Sequence, residues 1–449
     1  MSSMSRTLAK DSLENIGKKI KLFGWAITVR SHGKIAFFDL RDRSGIIQIG
    51  GFSPSVVEAI SALSQQDAVE VIGTVKKREE KYINKNTPLG EVEVEASEVK
   101  IVSKAEEVPF DMGGKDLPLE LPTLLDHRSV SLKHPKVLKI FQVQAGLAEE
   151  FRNAAKKLDC TEIFVPTIAS GATEGGADVF EIDYYGNKAF LTQSPQLYKQ
   201  MLVPVFERVF TIAKAYRAEP SVTTRHLSEA TQMDIEIGFI ESFEDLLNAL
   251  EFVGTEMIKN VSEKHEDILK EFGVEKPLVP NVVPRLTLRE AQKIVSKRTG
   301  RDLSEELDLN PDDEAEICKW AKEEKKSDFV TITHFPTKKR AFYTMPDPKD
   351  SEYSLSYDLL FRGLEILSGS QRVHEHARLI ERMKEKGVDP KNFGMYLMAF
   401  KYGMPPEGGF SFGLERVTMK VLELSNVREA SLYPRDMERV DERFSKKEK

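Results

Sequence analysis

One stretch limits the fold more than any other. Residues 210–240 read FTIAKAYRAEPSVTTRHLSEATQMDIEIGFI. Ile235, Ile237 and Phe239 alternate with Asp234 and Glu236. A period of two puts the apolar side chains on one face of a strand and both carboxylates on the other. A second strand-like run precedes them. The polar connection carries Arg217, Glu219, Arg225 and His226. The segment therefore reads as a hairpin with a dry back and a charged front. The plain alternative is a surface hairpin laced with ion pairs. The arginines favour a polyphosphate site instead, because a guanidinium matches phosphate oxygens in a bidentate fashion.

A chain of 449 residues has room for two or three domains. With 40% hydrophobic and 31% charged residues it has the make-up of a soluble globular protein. No run approaches the ~18 apolar residues that a membrane span needs, and the N-terminus lacks an apolar signal core. A cytoplasmic setting fits Cys160 and Cys318, which lie far apart without metal-ligand spacing and read as reduced, buried thiols. A structural zinc site is unsupported. The net charge of −7 argues weakly against a nucleic-acid partner. The local basic run Lys76, Lys77, Arg78, Lys81 and Lys85 would by itself be a solvated face.

Three regions follow from the pattern. Residues 1–104 contain five strand-like runs, with the helical stretch SVVEAISALS between the third and fourth. That order predicts an OB-fold barrel, a fold that often stacks single-stranded bases on aromatics. Of the adjacent Phe37 and Phe38, one should face the core and the other outward. Gln48 on the next strand can reach a base edge. Residues 105–136 are rich in Pro and Gly and read as a hinge. Residues 137–449 read as one large α+β domain. Its features are a helix over 137–158, a strand EIFVPTI ending at Pro166, and a helix opening at Ser242 with Asp245 completing a capping box. It ends with a strand-to-helix unit, GGFSFGLERVTMKVLEL, and a charged tail that frays. Residues 280–335 receive no role.

Two further segments carry chemistry. YDLLFRGLEILSGSQR places Asp358, Glu365, Ser368 and Arg372 in one stretch. Its acids suit Mg²⁺, which prefers oxygen ligands and bridges to substrate phosphates. Strict alternation would put Asp358 and Glu365 on opposite faces, so a bulge is required, and Gly363 is the expected place. The second is Gly413, Leu414, Glu415 and Arg416 at a strand-to-helix junction, where glycine admits a planar ring and arginine a terminal phosphate.

In order and spacing, YRAE, TRHL, MDIE and GLER resemble motifs 2 and 3 of the class II aminoacyl-tRNA synthetases. GATEGGADVF, LTQSPQLYKQ, FRGLEI and SGSQR look like the aspartyl-tRNA synthetases of archaeal and eukaryotic type, which lack the bacterial insertion domain. The resemblance implies an OB-fold anticodon-binding domain and a catalytic domain built on an antiparallel sheet flanked by helices. It implies that L-aspartate and ATP form aspartyl-adenylate, which then acylates tRNA(Asp) and, in some members, tRNA(Asn). Carried over by position, Arg217 would hold the α-phosphate and Glu219 the adenine side. Arg225, His226, Leu227, Gly413, Leu414, Glu415 and Arg416 would complete the ATP site, with Asp358 and Glu365 on Mg²⁺. Glu174 would receive the substrate ammonium, and Gln196, Lys199, Ser368 and Arg372 would surround the aspartate. Arg217, Glu365 and Arg416 would be catalytic. Phe37 and Gln48 would contact the anticodon. Motif 1 would make a homodimer.

Aspartate and asparagine are nearly isosteric, so charge must separate them. A lysine aimed at the β-carboxylate, Lys199, would be left unpaired if asparagine bound, at a cost of about 3–5 kcal/mol in a dry site. The alternatives are an asparagine–tRNA ligase, a non-catalytic RNA-binding paralogue and a tRNA-independent amidating enzyme. Retention of Arg217, Glu365 and Arg416 speaks against the paralogue, and the barrel against the amidating enzyme. Charging of tRNA(Asn) would depend on the strand near Ile27 and the loop 78–90, and the lean is toward relaxed specificity. Phe412, where a small residue is common, would either crowd the nucleotide or pack behind the sheet.

Overall fold

The computed structural model describes residues 4–85, 89–171, 178–220 and 223–444. They divide into two compact units, one ending at Lys136 and one beginning at Val137.

In the first unit β1 (Lys19–Ser31), β2 (Ala36–Asp42), β3 (Gly45–Gly51), β4 (Ala68–Lys77) and β5 (Val92–Ser103) close a barrel in the order β1-β2-β3-β5-β4. Helix α1 (Pro54–Ser61) sits between β3 and β4 in sequence, as the OB-fold reading requires. The barrel core includes Leu22, Phe38, Leu40, Ile49, Val71 and Val94. Phe38 is fully buried, while Phe37 is half-buried on the other face. The connector is not featureless, since it holds the short helices α2 (Leu121–Asp126) and α3 (Arg128–Ser131).

The second unit begins within α4 (Pro135–Lys157), which is followed by β6 (Thr161–Glu162), β7 (Ile168–Ala169), β8 (Glu181–Tyr184) and β9 (Asn187–Leu191). The expected strand EIFVPTI is thus broken. Thr161 and Glu162 pair with the main sheet and the Ile163 N–H donates to the Phe210 carbonyl at 2.9 Å, but Phe164 is 89% exposed and Ile168 pairs with β9 in a separate sheet. Next come α5 (Gln196–Phe206), β10 (Arg208–Tyr216), β11 (Glu229–Gly238), α6 (Phe243–Lys264) and α7 (Glu266–Glu271). The stretch without an assigned role supplies β12 (Arg285–Thr287), α8 (Leu288–Thr299), α9 (Pro311–Lys325) and β13 (Phe329–Thr333). The chain ends with β14 (Ser356–Phe361), β15 (Leu364–Gln371), α10 (His376–Glu385), α11 (Gly394–Lys401), β16 (Glu407–Gly413) and α12 (Leu414–Val421).

Eight of these strands form one sheet, in the order β12-β13-β14-β15-β16-β11-β10-β6. Its central pairs are antiparallel, and a parallel pair closes each edge. Helices α4 and α6 cover the back through Phe151, Leu250, Val253 and Met257, packed on Phe210, Ile235, Leu359 and Phe412. Phe412 therefore packs behind the sheet, edge-on to Phe151. The capping box at Ser242 and Asp245 opens α6 as its sequence predicts. Phe239 leaves the alternation: it lies past the end of β11 with φ +55° and is mostly exposed. No helix among the described residues is long and apolar enough to cross a membrane.

Candidate active site

With its back covered, the sheet presents its front to a cleft of about 310 Å³. β10 and β11 form the expected hairpin, paired from Arg208↔Ile237 to Tyr216↔Glu229. Their connection brings Arg217, Arg225, His226 and Leu227 to the wall. Gln196, Lys199, Glu365, Ser368, Arg372, Gly413, Glu415 and Arg416 line it as well. Glu219 and Asp358 stand just outside the lining, and Leu414 is buried in the core. Glu174 lies outside the described residues.

The deep end is a buried ionic cluster. Lys199 is 1% exposed, and its ammonium lies 2.7 Å from Asp234 and 3.1 Å from Glu236. Arg372 donates to Glu236 at 2.8 Å, to Ser370 Oγ at 2.6 Å, and to the carbonyl of Gly409 at 2.9 Å. Its Nη2 also reaches Gln196 Oε1 at 3.2 Å. Gly409 is required here, because a Cβ at that position would run into the Glu236 carboxylate. Burial pushes the Asp234 carboxyl up against the pull of Lys199. At Glu236 burial works the same way, but Arg372 and then Lys199 overcome it and hold the carboxyl near 2. Behind it, burial and then the charge of Glu236 push the Glu407 carboxyl well up. Gln200 donates to Glu407 at 2.7 Å. Lys199 is therefore balanced before any substrate arrives. That corrects the expectation that asparagine would leave it unpaired.

The acids expected on a metal also meet, by a route other than the expected one. Arg362 and Gly363 both have positive φ and make the β14–β15 turn, so Gly363 is not the bulge. The register slips further on: Leu359 pairs with Leu367 and Leu360 with Glu365, which leaves Ile366 as the extra residue. Ile366 and Leu367 both turn to the core. Asp358, which pairs with Ser368, thus shares the front face with Glu365. Arg340 donates to Asp358 Oδ2 at 2.9 Å and to Ser368 at 3.1 Å, with its guanidinium 4.0 Å from the ring centre of Phe335. Asp358 Oδ1 is buried without a protein partner among the described residues. Burial, with Glu365 adding to it, pushes the carboxyl up to about 7 despite Arg340. A buried orphan acceptor beside a second carboxylate fits a divalent cation. No group of three or more His, Cys, Asp or Glu among the described residues could hold one alone. A magnesium that keeps waters and bridges to phosphates needs only one or two carboxylates.

At the open end, Arg416 Nη1 lies 3.6 Å from Glu365 Oε1 and donates to the Glu365 carbonyl at 3.4 Å. His226 bonds Thr223 Oγ1 at 2.6 Å through Nδ1. Burial first, then the charge of Arg416, depress its pKa, so the ring is neutral at pH 7. Glu415 is occupied: its carboxylate accepts the backbone N–H of Thr231 at 3.1 and 3.0 Å, which ties α12 to β11. Sequence reasoning missed Arg340, Tyr343, Ser411 and Glu314. It named Asp234 and Glu236 without a place in the site. The alternation already put those two acids on the front; what it lacked was the cations from other elements that bury them. In the barrel, Phe37 meets Phe52 edge-on at 5.8 Å, and Gln48 donates to Glu93 at 2.9 Å.

A family model described as tRNA synthetases class II (D, K and N) matches residues 120–437, and one described as an OB-fold nucleic acid binding domain matches residues 20–102. The chain belongs to the class II tRNA synthetases. Among relatives of this synthetase is the aspartate–tRNA(Asp/Asn) ligase of Thermus thermophilus, 39% identical over 97% of this chain and 99% of that one. The aspartate–tRNA(Asp) ligase of Pyrococcus abyssi is 38% identical over 94% and 96%. Solved structures of similar shape include the asparaginyl-tRNA synthetase of Pyrococcus horikoshii complexed with asparaginyl-adenylate. Its TM-score is 0.86 at 28% identity, over 98% of this chain and all of that one. The aspartyl-tRNA synthetase of Entamoeba histolytica also scores 0.86, at 27% identity over 98% and 93%.

Proposed function

We propose that this class II synthetase is an aspartate–tRNA ligase that joins L-aspartate to the 3′ end of tRNA(Asp), and of tRNA(Asn) as well, at the expense of ATP. The observation that carries the choice of amino acid is the pair of buried cations, Lys199 and Arg372, at the closed end of the cleft. A β-carboxylate offers both cations an anionic acceptor oxygen, whereas a carboxamide offers one neutral oxygen and turns an NH₂ donor toward the other cation. Gln196 and Ser368 complete this end. The resemblance assigns the α-ammonium to Glu174, and Asp234, which lines the cleft, offers it a second carboxylate.

The reaction needs positioning and neutralisation of charge more than covalent help. The aspartate α-carboxylate attacks the α-phosphorus of ATP and expels pyrophosphate. The tRNA terminal hydroxyl then attacks the acyl carbon of the adenylate, forming the ester as AMP leaves and the hydroxyl proton is lost. Arg217 holds the α-phosphate as charge builds there. Arg225, His226 and Arg416 grip the outer phosphates. Leu227 and Gly413 flank the adenine, with Glu219 at its edge. Asp358 and Glu365 are the residues that would hold Mg²⁺, which when bound neutralises phosphate charge. In the barrel, Phe37 stacks on an anticodon base and Gln48 reads one. The proposal includes a homodimer through α4 and the exposed segment around Phe164, and a cytoplasmic place of work. The extension to tRNA(Asn) draws on relatives bearing the Asp/Asn name at 37–39% identity.

The test is charging of purified tRNA(Asp) and tRNA(Asn) with labelled aspartate and labelled asparagine at fixed salt. Aspartate on both tRNAs is the expected result. Aspartate on tRNA(Asp) alone would remove the extension, and asparagine on either would remove the reading of Lys199 and Arg372.

A further inference from the structure

A buried carboxylate next to a triphosphate site is a liability unless something requires it. Glu314 is such a group. It lies near the start of α9, in the stretch left without a role above, and is 6% exposed. Its two oxygens accept from Arg225 Nη2 at 2.8 and 2.9 Å. Oε2 also accepts the backbone N–H of Glu365 at 3.0 Å. Arg416 closes the circuit from the other side, donating to the carbonyls of Arg225 and Glu365 at 3.4 Å each. Four elements thus meet around one carboxylate: the β10–β11 loop, β15, α12 and α9.

The approach of α9 is built in. The β14–β15 turn passes so close that a Cβ on Gly363 would stand 3.3 Å from Ala315 Cα, and Gly363 has φ +81°. Its neighbour Arg362 is tied to Asp328 at 3.2 Å, just before β13. The turn therefore fixes where Glu314 stands relative to Glu365.

The bond pattern gives the direction of the effect. Glu314 engages one nitrogen of Arg225, and among the described residues Nη1 and Nε, the rest of the planar fork, are left for a ligand. We propose that Glu314 is a positioning residue: it holds Arg225 and the Glu365 backbone in place for the outer phosphates of ATP and touches no substrate itself. This rests on the aspartate–tRNA ligase reading and deepens it.

The experiment is aspartate-dependent ATP–pyrophosphate exchange with the full chain, comparing Glu314→Gln, Arg225→Ala and the double variant. Glu314→Gln keeps shape and volume and removes the charge. The ATP KM should rise about tenfold, the weight of one charge-assisted hydrogen bond. The KM for aspartate should stay put, and the melting temperature is read alongside so that a loss of folding is told apart from a loss of ATP binding. The double variant should be no worse than Arg225→Ala, because the two act as one unit. Glu314→Asp, which keeps the charge but withdraws it by a methylene, gives a second reading and should also raise the ATP KM. An ATP KM unchanged or lowered in both Glu314 variants, or losses that multiply in the double variant, overturns the proposal. If the wild-type chain shows no exchange, the functional reading fails instead.

Discussion

Replacing Lys199 with methionine gives the sharpest test of the deep cluster. The ammonium sits between two carboxylates that are 1% and 0% exposed. Methionine preserves most of the volume and removes the charge. Glu236 keeps Arg372, but Asp234 is left with the hydroxyl of Ser411 at 3.0 Å as its remaining side-chain donor among the described residues. Stranding one partner of a buried pair costs about 3–5 kcal/mol. At roughly 2–4 °C per kcal/mol for a domain of 150–250 residues, the melting temperature should fall on the order of 10 °C. The pH dependence identifies the cause. Burial already raises the Asp234 carboxyl, and loss of Lys199 raises it further. An acid whose folded pKa lies above its unfolded value of about 3.9 loses stability as pH rises between the two. The deficit of Lys199→Met should therefore be small near pH 5 and large near pH 8, read by calorimetry across that range. In exchange assays the KM for aspartate should rise about 100-fold, the weight of a hydrogen bond to a charged group in a dry site. A variant that melts within error of wild type, with no pH dependence, would refute the buried counter-ion account.

Two other changes probe neighbouring parts. Glu407→Gln copies the protonated acid and removes its titration. Since burial and Glu236 raise Glu407, the wild type should lose stability relative to this variant as pH rises from 5 to 8, and parallel melting curves would contradict that assignment. Gln48→Ala should raise the tRNA KM on the order of tenfold, the weight of about one hydrogen bond, and leave ATP–pyrophosphate exchange untouched; equal loss in both assays would remove the barrel from tRNA recognition.

What the sequence made legible was local in origin. The alternation at 235–237 and the two strands of the hairpin follow from a period of two. The helix between the third and fourth barrel strands follows from turn residues and a change of period, and the start of α6 from one capping box. What stayed hidden depends on partners distant along the chain. The ionic cluster joins Lys199 on α5, Asp234 and Glu236 on β11, Arg372 just beyond β15 and Glu407 on β16, and no window of sequence contains them together. Glu314 on α9 is invisible for the same reason. The bulge was required by the chemistry but misplaced, because a glycine can serve either a turn or a bulge, and only the pairing of Leu360 with Glu365 tells which. The strand expected through Phe164 breaks because its first residues, Glu162 and Ile163, bond β10 of the main sheet, whereas Ile168 near its end pairs with β9 in a separate sheet.

The extra residue at Ile366 has a consequence for how this strand can change. Between Glu365 and Ser368 the chain takes one more step than pleating allows, and that surplus step keeps both side chains on the wet side. Side chains here can be exchanged one at a time at graded cost. Length cannot, since removing a single residue between them would carry Glu365 through the sheet into the apolar layer under α6. The site is thus coded partly as a count of residues, a kind of information that no single substitution can add or erase.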